Sequence, residues 1–144
     1  MGDFIRFILT EEVDLSLAVI EAGLKVVDPQ FSIFPDQAAP NTGDVIYSSE
    51  VYGEIEVNRP GDVEFQEDIL DLRDELKVFT DEEKAPILQA FEQATGMIAF
   101  QLSEAGHENY RRIDPFWDWL FDHYRGLLQI DDEGYYDAHD QILG

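Results

Sequence analysis

The residues with the richest chemistry in this chain lie in the run IDPFWDWLFDHYRG. It holds both tryptophans, and with them Asp118, Asp122 and His123. On a helix, Asp118 and Asp122 are i, i+4 neighbours on one face. Asp131, Asp132, Glu133, Asp137, His139 and Asp140 follow within a short span. Carboxylates with histidine suit Ca²⁺, Mg²⁺ or Mn²⁺. The spacing is not that of an EF-hand, which alternates acidic positions before a glycine and ends in glutamate. So acidic a chain makes such clusters by chance, and the expectation is a solvated acidic loop, with no metal ligand and no cofactor assigned.

Other reaction classes lack their parts. The histidines are His107, His123 and His139, and Ser103 is near His107 without a nucleophile elbow. Ending a strand or bonding the turn backbone suits Ser103 better. Neither GxGxxG nor a Walker loop occurs. The absence of cysteine excludes disulfides, zinc–thiolate sites and thiol catalysis. Arg59 could anchor a ligand carboxylate, but an ion pair with Asp62 or Glu64 is the simpler expectation. Tyr47, Tyr52, Glu54, Arg59 and His123 are the polar groups a small-molecule pocket would use. No catalytic residue is assigned, and the chain reads as a non-enzyme.

Charge narrows the partners further. The chain carries 32 Asp and Glu against 9 Lys and Arg, a net −23 over 144 residues. Such a surface repels phosphate backbones and anionic lipids and attracts basic proteins. Nucleic-acid binding needs a basic stripe, and the longest basic cluster is Arg111-Arg112. The acidity reads in three ways: a solvated surface, a docking face for a basic partner, or adaptation to high salt. With 44% hydrophobic and 12% aromatic residues, the chain is globular rather than disordered. No stretch approaches the ~20 apolar residues of a membrane span, and the start lacks a secretory pattern. The expectation is a cytoplasmic protein without membrane contact.

These residues need elements to hold them. Residues 3–9 predict a strand buried on both faces. Thr10 predicts an N-cap for a helix ending at Asp28-Pro29. A short apolar piece at 31–34 and a loop at 35–44 follow. Residues 45–58 alternate as strand, with Tyr52, Glu54 and Glu56 on one side and a hairpin turn at Ser48-Ser49. After a turn at 59–62, Phe65, Ile69, Leu72, Leu76 and Phe79 mark a helix whose outer face carries Glu64, Glu67, Asp68, Asp71, Asp74 and Glu75. Thr80 and Glu83 match a capping box ahead of a third helix containing Pro86. A strand at 97–102, a turn at 103–106, a helix from Asp114 to near Gly126 and a strand at 127–130 complete the order.

The resulting β-α-β-β-α-α-β-α-β order predicts one α+β domain over residues 1–144. Its sheet is expected to be mixed, of about four to six strands, with helices mainly on one face, ferredoxin-like with a C-terminal βαβ extension. In the aromatic helix, Phe116, Trp119, Leu120, His123 and Leu127 share one face, while Trp117, Phe121 and Tyr124 lie on or beside another. Either the third helix covers that second face or it is an exposed aromatic surface. The expected binding residues are therefore Trp117, Phe121, Tyr124 and Arg59, with Glu67 and Asp71 on the acidic helix. The leading expectation is a non-catalytic interaction module for a basic protein partner or for self-association. The alternative is a small-molecule-binding or enzymatic domain with a pocket between sheet and helices.

Overall fold

The first apolar run forms β1 (Phe4–Leu9) in this computed structural model, which describes residues 4–144. Asp3, the expected start of that strand, lies outside the described residues. The helix expected directly after Thr10 begins later, as α1 (Leu17–Val27). Competing bonds explain the delay. The Thr10 N–H donates to the Arg125 carbonyl at 3.0 Å, and the Arg125 N–H donates to the Glu11 carboxylate at 3.2 Å. The Thr95 hydroxyl also donates to the Glu11 carbonyl. Ser16 caps α1 instead, accepting from the Val19 N–H.

The chain continues as β2 (Phe31–Pro35), β3 (Thr42–Tyr47) and β4 (Glu50–Asn58). Ser48 and Ser49 both have positive φ, 48° and 77°, which suits the two-residue hairpin between β3 and β4. The register then slips: Ile46 faces Val51 but Val45 faces Gly53, so Tyr52 is an extra residue. This bulge turns Tyr52 into the core beside Ile55 and Val57. The expectation that Tyr52 shares a face with Glu54 and Glu56 is corrected accordingly.

The acidic helix is α2 (Val63–Glu75), and α3 (Asp81–Gln93) begins at a complete capping box, with Pro86 accommodated inside it. Next come β5 (Gly96–Leu102), the short α4 (Glu104–Glu108), α5 (Asp114–His123), β6 (Gly126–Ile130), β7 (Gly134–Tyr136) and β8 (Gln141–Leu143). One eight-stranded sheet results, in the order β2-β3-β4-β5-β1-β6-β7-β8.

The α+β class stands, but the finer expectations need correction. The strands number eight rather than four to six, because β7 and β8 span three residues each, too few for a period-two signature. Every pairing is antiparallel rather than mixed. β5 and β6 run the same way on either side of β1, with α4 and α5 between them in the chain, so the expected C-terminal βαβ unit is split by β1. β1 and β2 also run the same way, but β3, β4 and β5 separate them, so two interleaved split units of ferredoxin-like type do not form.

Helices cover both faces, not mainly one. On the first face α1 and α5 pack Ile20, Leu24, Phe116 and Leu120 over Phe7, Phe31 and Phe100. On the second, α2 and α3 pack Phe65, Leu72 and Ile87 over Ile8, Met97 and Leu127. The reason lies in the strands. β1 and β5 carry large apolar residues on both sides, Phe7 and Phe100 on one and Ile8 and Met97 on the other, so each face needs its own cover.

Candidate functional site

The second face is only partly closed. Its apolar cluster draws on β1, β5, β6, β7 and β8 and includes no residue of β2, β3 or β4. Across the uncovered part, the register aligns Phe34, Asp44, Glu54, Gln101 and Phe4 in one row over five strands. Asp44 therefore sits directly opposite Glu54, an arrangement of like charges that opposes strand pairing. Phe34, 68% exposed, ends the row. The next row places Glu56 beside Thr42 and Ala99.

α2 borders this surface with more carboxylates. Its buried stripe fixes the helix rotation, and Glu64, Asp68, Asp71 and Glu75 fall on one flank at i, i+4, i+7 and i+11. Glu64, Glu67 and Asp68 line a groove of about 200 Å³ with Glu54 and Glu56 of β4. A second groove, of about 260 Å³, meets it at Glu54 and is lined by Phe34, Asp36 and Asp44. Like charges at i, i+3 and i+4 cost helix stability, as the opposed pair costs sheet stability. Among the described residues, ion pairs reach only one of these groove carboxylates, Asp68, through Arg6.

Arg6 is the residue the sequence reading missed. It lies in the middle of the sheet, with its side chain 11% exposed. Its Nη1 donates to Gln129 Oε1 at 2.8 Å and to Asp131 Oδ1 at 2.9 Å, and its guanidinium sits 4.8 Å from the Phe4 ring centroid. Nε lies 3.6 Å from Asp68 Oδ2 and has no hydrogen-bond partner. Burial pushes the Asp68 carboxyl above its ordinary pKa, and Arg6 offsets part of that. Burial, then the nearby Asp131 charge, pushes Glu75 up as well. The available signal was a single cation within an otherwise apolar strand, where a buried charge must be paired.

The expected binding residues fall into three separate places. Glu67 and Asp71 are exposed on α2, Glu67 in the groove and Asp71 further along the helix. Trp117 is 3% exposed, packed against Phe100 and Phe116 on the first face. Phe121 is half-buried, edge-on to Phe7 at 5.0 Å. Tyr124 is half-buried beside Trp119. The neighbour of α5 is α1 rather than the third helix: a Cβ on Gly23 of α1 would stand 2.6 Å from the Trp119 ring. Arg59 is exposed and pairs with Asp14 at 2.8 Å, not with Asp62 or Glu64. Asp62 instead accepts the Arg59 backbone N–H.

The small-molecule set is dispersed. Tyr47 donates to Asp28 at 2.7 Å and Tyr52 to the Asn109 carbonyl at 2.6 Å on the first face, whereas Glu54 belongs to the second. Ser103 Oγ donates to the Val51 carbonyl and accepts from the Gly106 N–H, capping α4. His123 Nδ1 donates to the Trp119 carbonyl at 2.8 Å, and the two rings stack. In the acidic C-terminal stretch, Asp137 accepts the His139 and Asp140 N–H groups, which lowers its pKa. Among the described residues, no three His, Asp or Glu side chains are placed to hold a metal ion. No helix of these residues is long and apolar enough to cross a membrane.

Fold and site together define an α+β protein whose open antiparallel sheet leaves one acidic quarter uncovered. Comparison with protein-family models, with curated proteins and with solved structures found no match to this chain.

Proposed function

We propose that this chain is a non-catalytic interaction module that docks a basic protein partner on the uncovered acidic quarter of its sheet. The observation that carries this reading is the direct opposition of Asp44 and Glu54 beside Glu64 and Glu67 of α2, four carboxylates that no ion pair reaches among the described residues. Folding alone disfavours that arrangement. Lysine and arginine side chains from a partner would relieve it, and Phe34 supplies an exposed apolar contact at the rim. Clustered charge of this kind speeds encounter and makes association salt-sensitive.

The test is titration with a lysine- and arginine-rich peptide at low and high salt. Affinity should fall steeply with salt. The double variant Glu54→Lys/Glu67→Lys should weaken binding by at least about tenfold, because truncating or reversing interfacial charge pairs carries large coupling. The double variant Glu82→Lys/Glu92→Lys, on the exposed side of α3, makes the same change in net charge elsewhere. Equal losses from the two double variants, or binding indifferent to salt, would sink the reading.

A further inference from the structure

A third concavity lies on the same face, beyond the far end of α2. It measures about 510 Å³, within the range of small-molecule sites, and lies between Glu75, Leu76 and Phe79 on one side and β6, β7 and β8 on the other. Phe4, Leu76, Phe79 and Leu143 give it apolar walls. The turn from β6 to β7, with Asp132 at φ 65° and Gly134 at φ 128°, carries Asp131, Asp132 and Glu133 to its rim.

One residue of its lining carries an unanswered polar group, shielded from solvent. Tyr135 is 6% exposed and lines the cavity, and its hydroxyl has no hydrogen-bond partner. A buried hydroxyl without a partner costs free energy, so an occupant that bonds it gains. Burial pushes the pKa of that hydroxyl up, and the negative charge of Glu75, which lines the same cavity, adds to the shift. Arg6 is bonded to Asp131 and Gln129, whereas no ion pair reaches Glu75 among the described residues. An anion would face four rim carboxylates, and no metal-ligand set is present among the described residues.

We infer that this pocket binds an organic ammonium ion with an apolar tail, the ammonium held between the Glu75 carboxylate and the Tyr135 hydroxyl and the tail lying against Leu76, Phe79 and Leu143. Tyr135 can accept from the ammonium while its own proton turns toward Glu75. The ammonium can belong to a free amine or to a lysine side chain of another protein; either presents the same donor set. This inference is independent of the docking face, because none of Glu54, Glu67 or Asp44 lines the pocket.

The experiment is calorimetric titration of the full chain with phenethylamine, with its neutral counterpart 2-phenylethanol and with phenylacetate, followed by amide shifts in NMR. A fourth arm uses Nα-acetyl-lysine methylamide. Phenethylammonium or the lysine amide should bind and shift the amides of Gly134, Tyr135 and Leu143, with the neutral and anionic probes at least about tenfold weaker. Binding by the first alone identifies a free amine, and by the second alone a lysine side chain. Glu75→Gln should weaken the cation about tenfold, and Tyr135→Phe, which keeps the ring, severalfold. Glu54→Lys/Glu67→Lys should leave it unchanged apart from a general salt-dependent term. Equal binding of 2-phenylethanol, failure of both cations to bind, or indifference to Glu75→Gln and Tyr135→Phe would overturn the inference.

Discussion

On its first face the sheet is closed by α1 and α5 over rings packed edge-on, Phe7 against Phe121 and Phe100 against Trp117. On its second face α2 and α3 stop short, and β2 to β4 present Asp44, Glu54, Glu56 and an exposed Phe34. Both faces belong to the same strands, so backbone pairing is common to them. What differs is whether side chains gain by folding. The first face gains one apolar cluster that draws on every strand from β1 to β6. The open part of the second sets like charges opposite one another, Asp44 across from Glu54, and stability gains nothing from that arrangement. The second face is thus divided within itself, an apolar core over β1 and β5 to β8 and the proposed interaction surface over β2 to β4.

The largest effect that would test this contrast is Phe100→Ala. Phe100 is fully buried on the first face, and its truncation should cost ~3–5 kcal/mol in urea unfolding. Phe34→Ala on the open quarter should change stability by no more than ~0.5 kcal/mol while weakening partner binding. Comparable losses from the two would break the contrast.

A second, slightly smaller loss sharpens it. Leu72→Ala removes a side chain of α2 that is 2% exposed, and should cost ~2–5 kcal/mol by the same measurement. Where the second face is covered, it should behave like the first.

Acidity supplies a third test. Asp68, Glu75 and Asp114 are raised by burial, so each binds its proton more tightly folded than unfolded. Their combined contribution to stability therefore grows as pH falls through their folded values and is lost as pH rises back through them. The thermal midpoint should rise between pH 7 and about pH 5. Further acidification should reverse the gain, because Asp28, Glu83 and Asp137 are held low by hydrogen bonds and lose stability when protonated. Asp68→Asn/Glu75→Gln should flatten the rise; a midpoint that falls steadily from pH 7 would contradict the assignment.

The smallest effects are on the surface. Glu54→Gln relieves the repulsion from Asp44 and should stabilise by a few tenths of a kcal/mol in thermal melts. Arg59→Ala breaks an exposed pair with Asp14 and should shift stability by less than ~1 kcal/mol.

Local signals were legible where one residue type controls the outcome. The capping box at Thr80 and Glu83, the hairpin at Ser48-Ser49 and the α2 stripe all form as their chemistry dictates. Signals that depend on distant partners were not. The start of α1 is set by bonds from Thr10 and Glu11 to Arg125 across the sheet, and the side of Tyr52 by a bulge against β3. The acidic site was half legible. Glu67 and Asp71 follow from helix periodicity, but Glu54 joins Glu67 only because β4 and α2 share a face. Arg6 was hidden because its counter-ions, Asp68 and Asp131, lie far along the chain.

The position of β1 carries one more consequence, for the time course of folding. It is the earliest strand in the chain, yet Ile5 pairs with Phe100 on one side and Ile130 on the other. The centre of the sheet cannot close until both late strands are present, and such non-local contacts slow folding toward the millisecond-to-second range. Meanwhile the hairpin of β3 and β4 can form alone, with its pleat exposed. At a net charge of −23 such unfinished chains repel one another, which opposes their association while the apolar strands are still waiting for partners.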